Sequence, residues 1–179
     1  NVLVTRFHAD GRQDRLENCD MLTIHFVPRD RKTSPPGENG RAQSADKPSR
    51  QLDLDPSRIE AVGEPVAIRA PSMSVAGRGE RLEYDLVKGR LLLEGRNPVM
   101  LSYDDSFIEA ALLQYESPEP GWRLGRIVAV GPGRIRAQID DKPDQIFEAT
   151  WNQELRVQPQ DHNQVVSLTG GVELLYARM

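Results

Sequence analysis

Arg90-Leu91-Leu92-Leu93-Glu94-Gly95, then Val99-Met100-Leu101-Ser102-Tyr103, the turn Asp104-Asp105-Ser106 and the run from Phe107 to Tyr115 decide how this chain folds. Each run is five to nine residues long, rich in aliphatic side chains and bounded by turn formers, which is the pattern of a β-strand. Within them Leu91, Leu93, Val99 and Leu101 fall on one side by twofold alternation, while Leu92 and Met100 point to the other. Ile108, Ala110 and Leu112 alternate with Glu109 and Ala111 in the next run. No stretch of a dozen residues carries apolar positions at helical spacing. The best helical start is Asp55-Pro56-Ser57, with Asp as cap and Pro at the first helical position, and it lasts about one turn before Gly63 and Pro65.

The same texture recurs outward in both directions. Ile59-Glu60-Ala61-Val62-Gly63 returns as Ile127-Val128-Ala129-Val130-Gly131, and each is followed by Ile-Arg-Ala, at Ile68-Arg69-Ala70 and Ile135-Arg136-Ala137. Phe147-Glu148-Ala149 has the same form. Gly11-Arg12-Gln13-Asp14-Arg15-Leu16-Glu17 resembles Gly77-Arg78-Gly79-Glu80-Arg81-Leu82-Glu83. Gly63, Gly95, Gly131 and Gly170 each close one strand and open another, at steps of 32, 36 and 39 residues, and a period near 35 to 40 marks a repeated supersecondary unit. Near the end, Val166, Leu168, Val172 and Leu174 share a side, with Ser167, Thr169 and Glu173 opposite. The expectation is an all-β chain of repeated antiparallel strands, a single elongated domain over 1–179 of about four repeats, aliphatic on one face and charged on the other.

One stretch breaks the texture. Residues 29–51 hold six basic and three acidic side chains, and their only aliphatic residues are Ala42 and Ala45. Such a segment cannot offset its ordering entropy by burial, so a disordered polar insert is expected. The whole chain has 179 residues, 38% of them hydrophobic, and a formal charge of −4. That acidic balance argues against a nucleic-acid partner, which calls for cations to displace counterions. The single Cys19 excludes an internal disulfide framework and a four-cysteine zinc site. The opening Asn1-Val2-Leu3-Val4-Thr5 reads as a strand already under way, so a longer parent protein is expected.

Catalytic chemistry finds little support. His8, His25 and His162 lack metal-ligand spacing, and Cys19 lies too far along a strand from His25 to pair with it, so Cys19 is read as a small buried hydrophobe. Asp104-Asp105 and Asp140-Asp141 sit in turns, where Asp is favoured for local hydrogen bonding. Gly131-Pro132-Gly133 and Gly77-Arg78-Gly79 match neither a Walker loop nor a dinucleotide fingerprint. Trp122 and Trp151 read as core or edge residues. The chain is expected to be no enzyme and to use no cofactor or metal.

Four elements carry a family resemblance. Val66-Ala67-Ile68-Arg69-Ala70-Pro71-Ser72, then Gly79-Glu80-Arg81-Leu82-Glu83-Tyr84-Asp85, then Lys88-Gly89-Arg90 through Gly95 with Ile108-Glu109-Ala110, resemble the OstA-like (organic solvent tolerance A-like) domain of periplasmic lipopolysaccharide-transport proteins of the LptA and LptC type. Residues 66–116 carry it best, with echoes over 1–26 and 127–177, including Leu168 to Leu174. The insert at 29–51 departs from that pattern. The resemblance implies an elongated, partly open β-jellyroll in the periplasm or cell envelope, whose groove holds the acyl chains of lipopolysaccharide or a similar lipid while phosphates and sugars stay outside. It also implies edge-strand pairing with other OstA-like modules. The groove candidates are Ile68, Leu91, Leu93, Val99, Leu101, Ile108 and Leu112 in the first part, and Ile135, Phe147, Val166, Leu168, Val172 and Leu174 in the second. The alternative is a β-rich envelope scaffold with a filled core and no ligand.

Overall fold

The computed structural model describes residues 2–7, 9–28, 54–71, 75–103, 105–118, 125–139, 142–160 and 163–178. The insert at 29–51, His8, His162, Asp104, Asp140, Asp141 and Trp122 lie outside them. In chain order the strands are β1 (Val2–Phe7), β2 (Gln13–Cys19), β3 (Met21–Pro28), β4 (Leu54–Ala70), β5 (Val75–Asp85), β6 (Arg90–Tyr103) and β7 (Ser106–Glu116). They continue with β8 (Arg126–Val130), β9 (Gly133–Ile139), β10 (Lys142–Trp151), β11 (Glu154–Gln160), β12 (Asn163–Thr169) and β13 (Glu173–Arg178). All belong to one antiparallel sheet that does not close on itself, and no α-helix occurs among the described residues.

The pairings show how this sheet is built. β4 binds β2 through its carboxy-terminal part and β3 through its amino-terminal part. β7 binds β9 and β8 in the same divided way, and β10 and β11 then continue onto β13 and β12. So β2 with β3, β8 with β9, β10 with β11, and β12 with β13 are each one long strand broken in its middle. The long strands β4, β5, β6 and β7 have their register shifts at the same level, between Val62 and Val66, Arg78 and Arg81, and Glu94 and Val99. The result is a meander of long strands creased along a shared line, with two leaves folded face to face. The first leaf holds β1, β2, β9, β10 and β13, and the second holds β3, β8, β11 and β12; β4 to β7 run through both.

The crease explains the glycine period. Gly63, Gly95, Gly131 and Gly170 all lie on it, in every second long strand, so one sequence repeat is one up-and-down pair of strands. At Gly63 a side chain would run into the carbonyl oxygen of Asn18, and at Gly131 the backbone holds φ of +88°, which glycine adopts without steric cost. Backbone bonds stitch the line: Asp20 N–H donates to Val62 O (2.8 Å), Gly131 N–H to Gln153 O (2.7 Å) and Asn152 N–H to Gly170 O (2.6 Å). The repeat between 11–17 and 77–83 is not structural, because the first lies within one leaf and the second crosses the crease.

Inner side chains form rows across the strands. In the second leaf one row reads Leu22, Ala61, Leu82, Leu93, Leu113, Ala129, Leu155, Leu168, and the next Ile24, Ile59, Tyr84, Leu91, Tyr115, Ile127, Val157, Val166. In the first leaf a row runs Val4, Leu16, Ile68, Gly77, Leu101, Ile108, Ile135, Ala149, Leu174. Residues of both leaves share one hydrophobic cluster. Burying such rows, at roughly 25 cal/mol per Å² of apolar surface, is the force that folds the sheet over. Cys19 and Trp151 are buried in this core, and the indole of Trp151 lies where any side chain at Gly133 would stand.

Two expectations change here. Asp55-Pro56-Ser57 is not helical but part of β4, opposite Phe26 and Val27. Pro56 sits beside a bulge, a position that tolerates its missing N–H, and the Ser57 hydroxyl donates to His25 O (3.2 Å) across it. Leu112 does not face inward. It pairs with Glu94 and Val130 on the outer side, and Leu113 takes the interior position beside Leu93. The cause is the crease, where β7 turns two successive residues, Ala111 and Leu112, away from the core.

Candidate functional site

The outer faces are built from charge ladders. Arg134 Nε donates to Glu109 Oε2 (2.7 Å) and stacks its guanidinium 5.2 Å from the Phe107 ring centroid. Arg78 faces Glu109 at 3.9 Å, and Arg136 faces Glu148 at 3.3 Å. On the outside of the crease Arg96 bridges Glu80 and Glu64, and its hydrogen bond holds the Glu80 carboxyl below the usual carboxylate range. Met100 and Leu92 lie among these ladders, as alternation places them. Each charge just named has an opposite partner, so these faces read as solvated surfaces. His25 belongs here too, with Nε2 3.0 Å from Glu60 Oε1.

The interior is different. Near the crease between β4 and β6 it is full. A side chain at Gly77 would touch Ile68 Cγ2 at 3.1 Å and, from the opposite leaf, Leu93 Cδ1 at 3.2 Å. Leu93 is 1% exposed and Val99 0%. Toward the carboxy-terminal end the leaves part and leave a cleft of about 310 Å³. Leu101, Ile108, Ile135 and Phe147 line it from the first leaf, with Ile127, Val157 and Val166 opposite. Ser102, Tyr103, Ser106, Phe107, Gln138 and Gln164 complete its lining, and the Ser106 hydroxyl accepts the backbone N–H of Gln138 at 3.2 Å. Among the described residues that line this cleft none bears a charge.

The groove candidates therefore divide. Leu101, Ile108, Ile135, Phe147 and Val166 come together around the cleft. Ile68, Leu91, Leu93, Val99 and Leu168 are packed in or against the filled core. Val172 sits exposed just after the crease residues 170–171, and Leu174 ends an inner row on the open edge at 62% exposure. Leu112 is on the outer face, as described above. Ile127, Ala137 and Val157 line the cleft without having been singled out. Ile127 and Ala137 lie in the repeated Ile-x-Ala elements beside Ile135, which was the available signal.

Among the described residues the sheet ends on β1 and β3 at one side and on β12 and β13 at the other. Large apolar side chains stand exposed there: Leu3, Phe7, Ile24 and Phe26 at the first end, Val166, Leu174, Leu175 and Tyr176 at the second. Among the described residues no group of three or more His, Cys, Asp or Glu is placed to hold a metal ion, and no helix is long and apolar enough to cross a membrane. Comparison of the chain with protein-family models, with curated proteins and with solved structures returned no match.

Proposed function

We propose that this chain is a non-catalytic module of the cell envelope that holds acyl chains of a lipid, of the lipopolysaccharide type, between its leaves. The observation that carries the reading is the apolar cleft of about 310 Å³ between two leaves whose outer faces are charged. Such a site binds by removing CH₂ groups from water, at about 0.8 kcal/mol each, and needs no reactive side chain. The creased, unclosed sheet supports a partly open β-jellyroll of the OstA-like kind, and hence a periplasmic setting. The open edges support assembly with like modules. Added strands there would extend the inner rows that stop at Leu174 and Leu168.

The test is to purify the chain from an envelope-containing host, extract it and weigh the bound lipid by mass spectrometry. Acyl lipid near one equivalent is expected. Protein that is clean and takes up no added lipopolysaccharide would overturn the reading. The alternative of a ligand-free scaffold draws on one observation, the filled interior at Gly77 and Leu93, and the same measurement separates the two.

A further inference from the structure

The cleft has an inner end, and the side chains that close it come from both leaves. We infer that it is a blind lane for a single alkyl chain of about a dozen carbons, with Tyr103 and Tyr115 as its stop. This rests on the lipid reading above and adds the length of chain that the site selects.

The strand register gives the lane its dimensions. On the first leaf its wall crosses β6, β7, β9 and β10 in two rows: Leu101, Ile108 and Ile135 stand in one, Tyr103, Ala137 and Phe147 in the next. Neighbouring strands lie about 4.8 Å apart and successive inner residues of one strand about 7 Å, so the lane is about 14 Å long across the strands and about 7 Å wide along them. An extended chain advances about 1.2 Å per bond, since three backbone bonds span about 3.5 Å, and the lane therefore seats about twelve carbons. A volume of about 310 Å³, at the low end for ligand pockets, suits one such chain. The outer end of the lane is exposed, at Val166, Leu174 and Tyr176. At the inner end the wall changes. The second-leaf row of Val166, Val157 and Ile127 continues directly into Tyr115 and then Leu91, which is 5% exposed. Tyr103 closes from the facing leaf, near enough to act on the Tyr115 phenol, which burial pushes up first and Tyr103 pushes up further. Beyond this pair the contact of Leu93 with the space over Gly77 fills the interior, so a longer chain finds no room behind the tyrosines. Its extra CH₂ groups stay at the exposed end and add no burial.

The experiment uses the full chain and alkyl maltosides of eight to sixteen carbons, each below its micellar concentration. Each is titrated against bound N-phenyl-1-naphthylamine, a neutral fluorophore, and displacement is read by fluorescence. Affinity is expected to rise about fourfold with each added CH₂ up to about twelve carbons and to level off beyond. In Tyr115→Ala the gain should continue to the fourteen- and sixteen-carbon probes, because loss of the ring opens about one strand spacing, or about four carbons. Tyr103→Ala, at a half-exposed position, tests the same stop if the first variant fails to fold. A loss of stability alone would lower every affinity together and leave the break where it was. A parent series without a break between ten and fourteen carbons, or a break that stays in place in both variants, overturns the inferred stop while leaving the lipid reading in place. Absence of displacement at every length overturns the lipid reading and the inference with it.

Discussion

Between β4 and β6 the two leaves touch, and between β9 and β12 they part. Both regions have the same ingredients: two antiparallel strand groups, aliphatic inner rows and a glycine at the crease. The difference lies in what stands opposite what. In the middle, Gly77 in one leaf leaves room that Leu93 of the other enters, and small against large closes the gap. At the carboxy-terminal end medium-sized residues stand on both sides, Ile135 and Ala137 against Ile127 and Val157, and the next strands, β12 and β13, are the last in the sheet. A filled wedge and an open one thus arise from one repeat, and stability and binding separate along the length of the molecule.

The contrast is sharpest where a core side chain is cut away. Leu93→Ala should cost about 2–5 kcal/mol in urea unfolding, because it empties a fully packed site, whereas Val166→Ala, 43% exposed in the wall of the cleft, should stay within about 0.5 kcal/mol. Equal losses would mean that the two ends are packed alike. Adding volume probes the same difference from the other direction. Gly77→Val should destabilise by about 1–3 kcal/mol through overpacking, while Ala137→Val should leave the unfolding midpoint near that of the parent and reduce the uptake of an alkyl probe. A tolerated Gly77→Val would show that the middle has slack.

The smallest effect concerns the boundary between the regions. Burial pushes the Tyr115 phenol up, with Tyr103 and Tyr84 adding to the shift. A raised acid contributes stability that is complete below the unfolded tyrosine value, about 10, and is lost as pH climbs toward the folded one. Absorbance titration of the native chain should find one tyrosine ionising later than the others, and Tyr115→Phe should remove that late step and soften the alkaline loss of stability. A late step that persists in the variant would place the buried phenol elsewhere.

Much of this was legible along the chain. The runs from Arg90 to Tyr115 became β6 and β7, the alternation of Leu91, Leu93, Val99 and Leu101 marked a buried face, and the glycine period marked the crease without revealing that it was one. What alternation missed is where it changes phase. In β4, β5 and β7 the inward side switches parity on crossing the crease, from Ala61 to Val66, Gly79 to Leu82 and Ala110 to Leu113, so Leu112 was assigned inward by a count that no longer applied. Pro56 looked like a helix start because nothing local announces that Phe26, far back in the chain, will pair with it.

The residue pattern by itself determined long antiparallel strands, greasy on one side and charged on the other, with hinges at regular glycines, since side-chain direction in a strand is a local property of period two. Only the tertiary structure decided that Leu93 would plug the space over Gly77 while Phe147, Val157 and Val166 would stand apart around a cleft. Whether two surfaces fill or leave a gap depends on the volumes that meet across it, and those belong to residues from different strands brought together only when the sheet folds over.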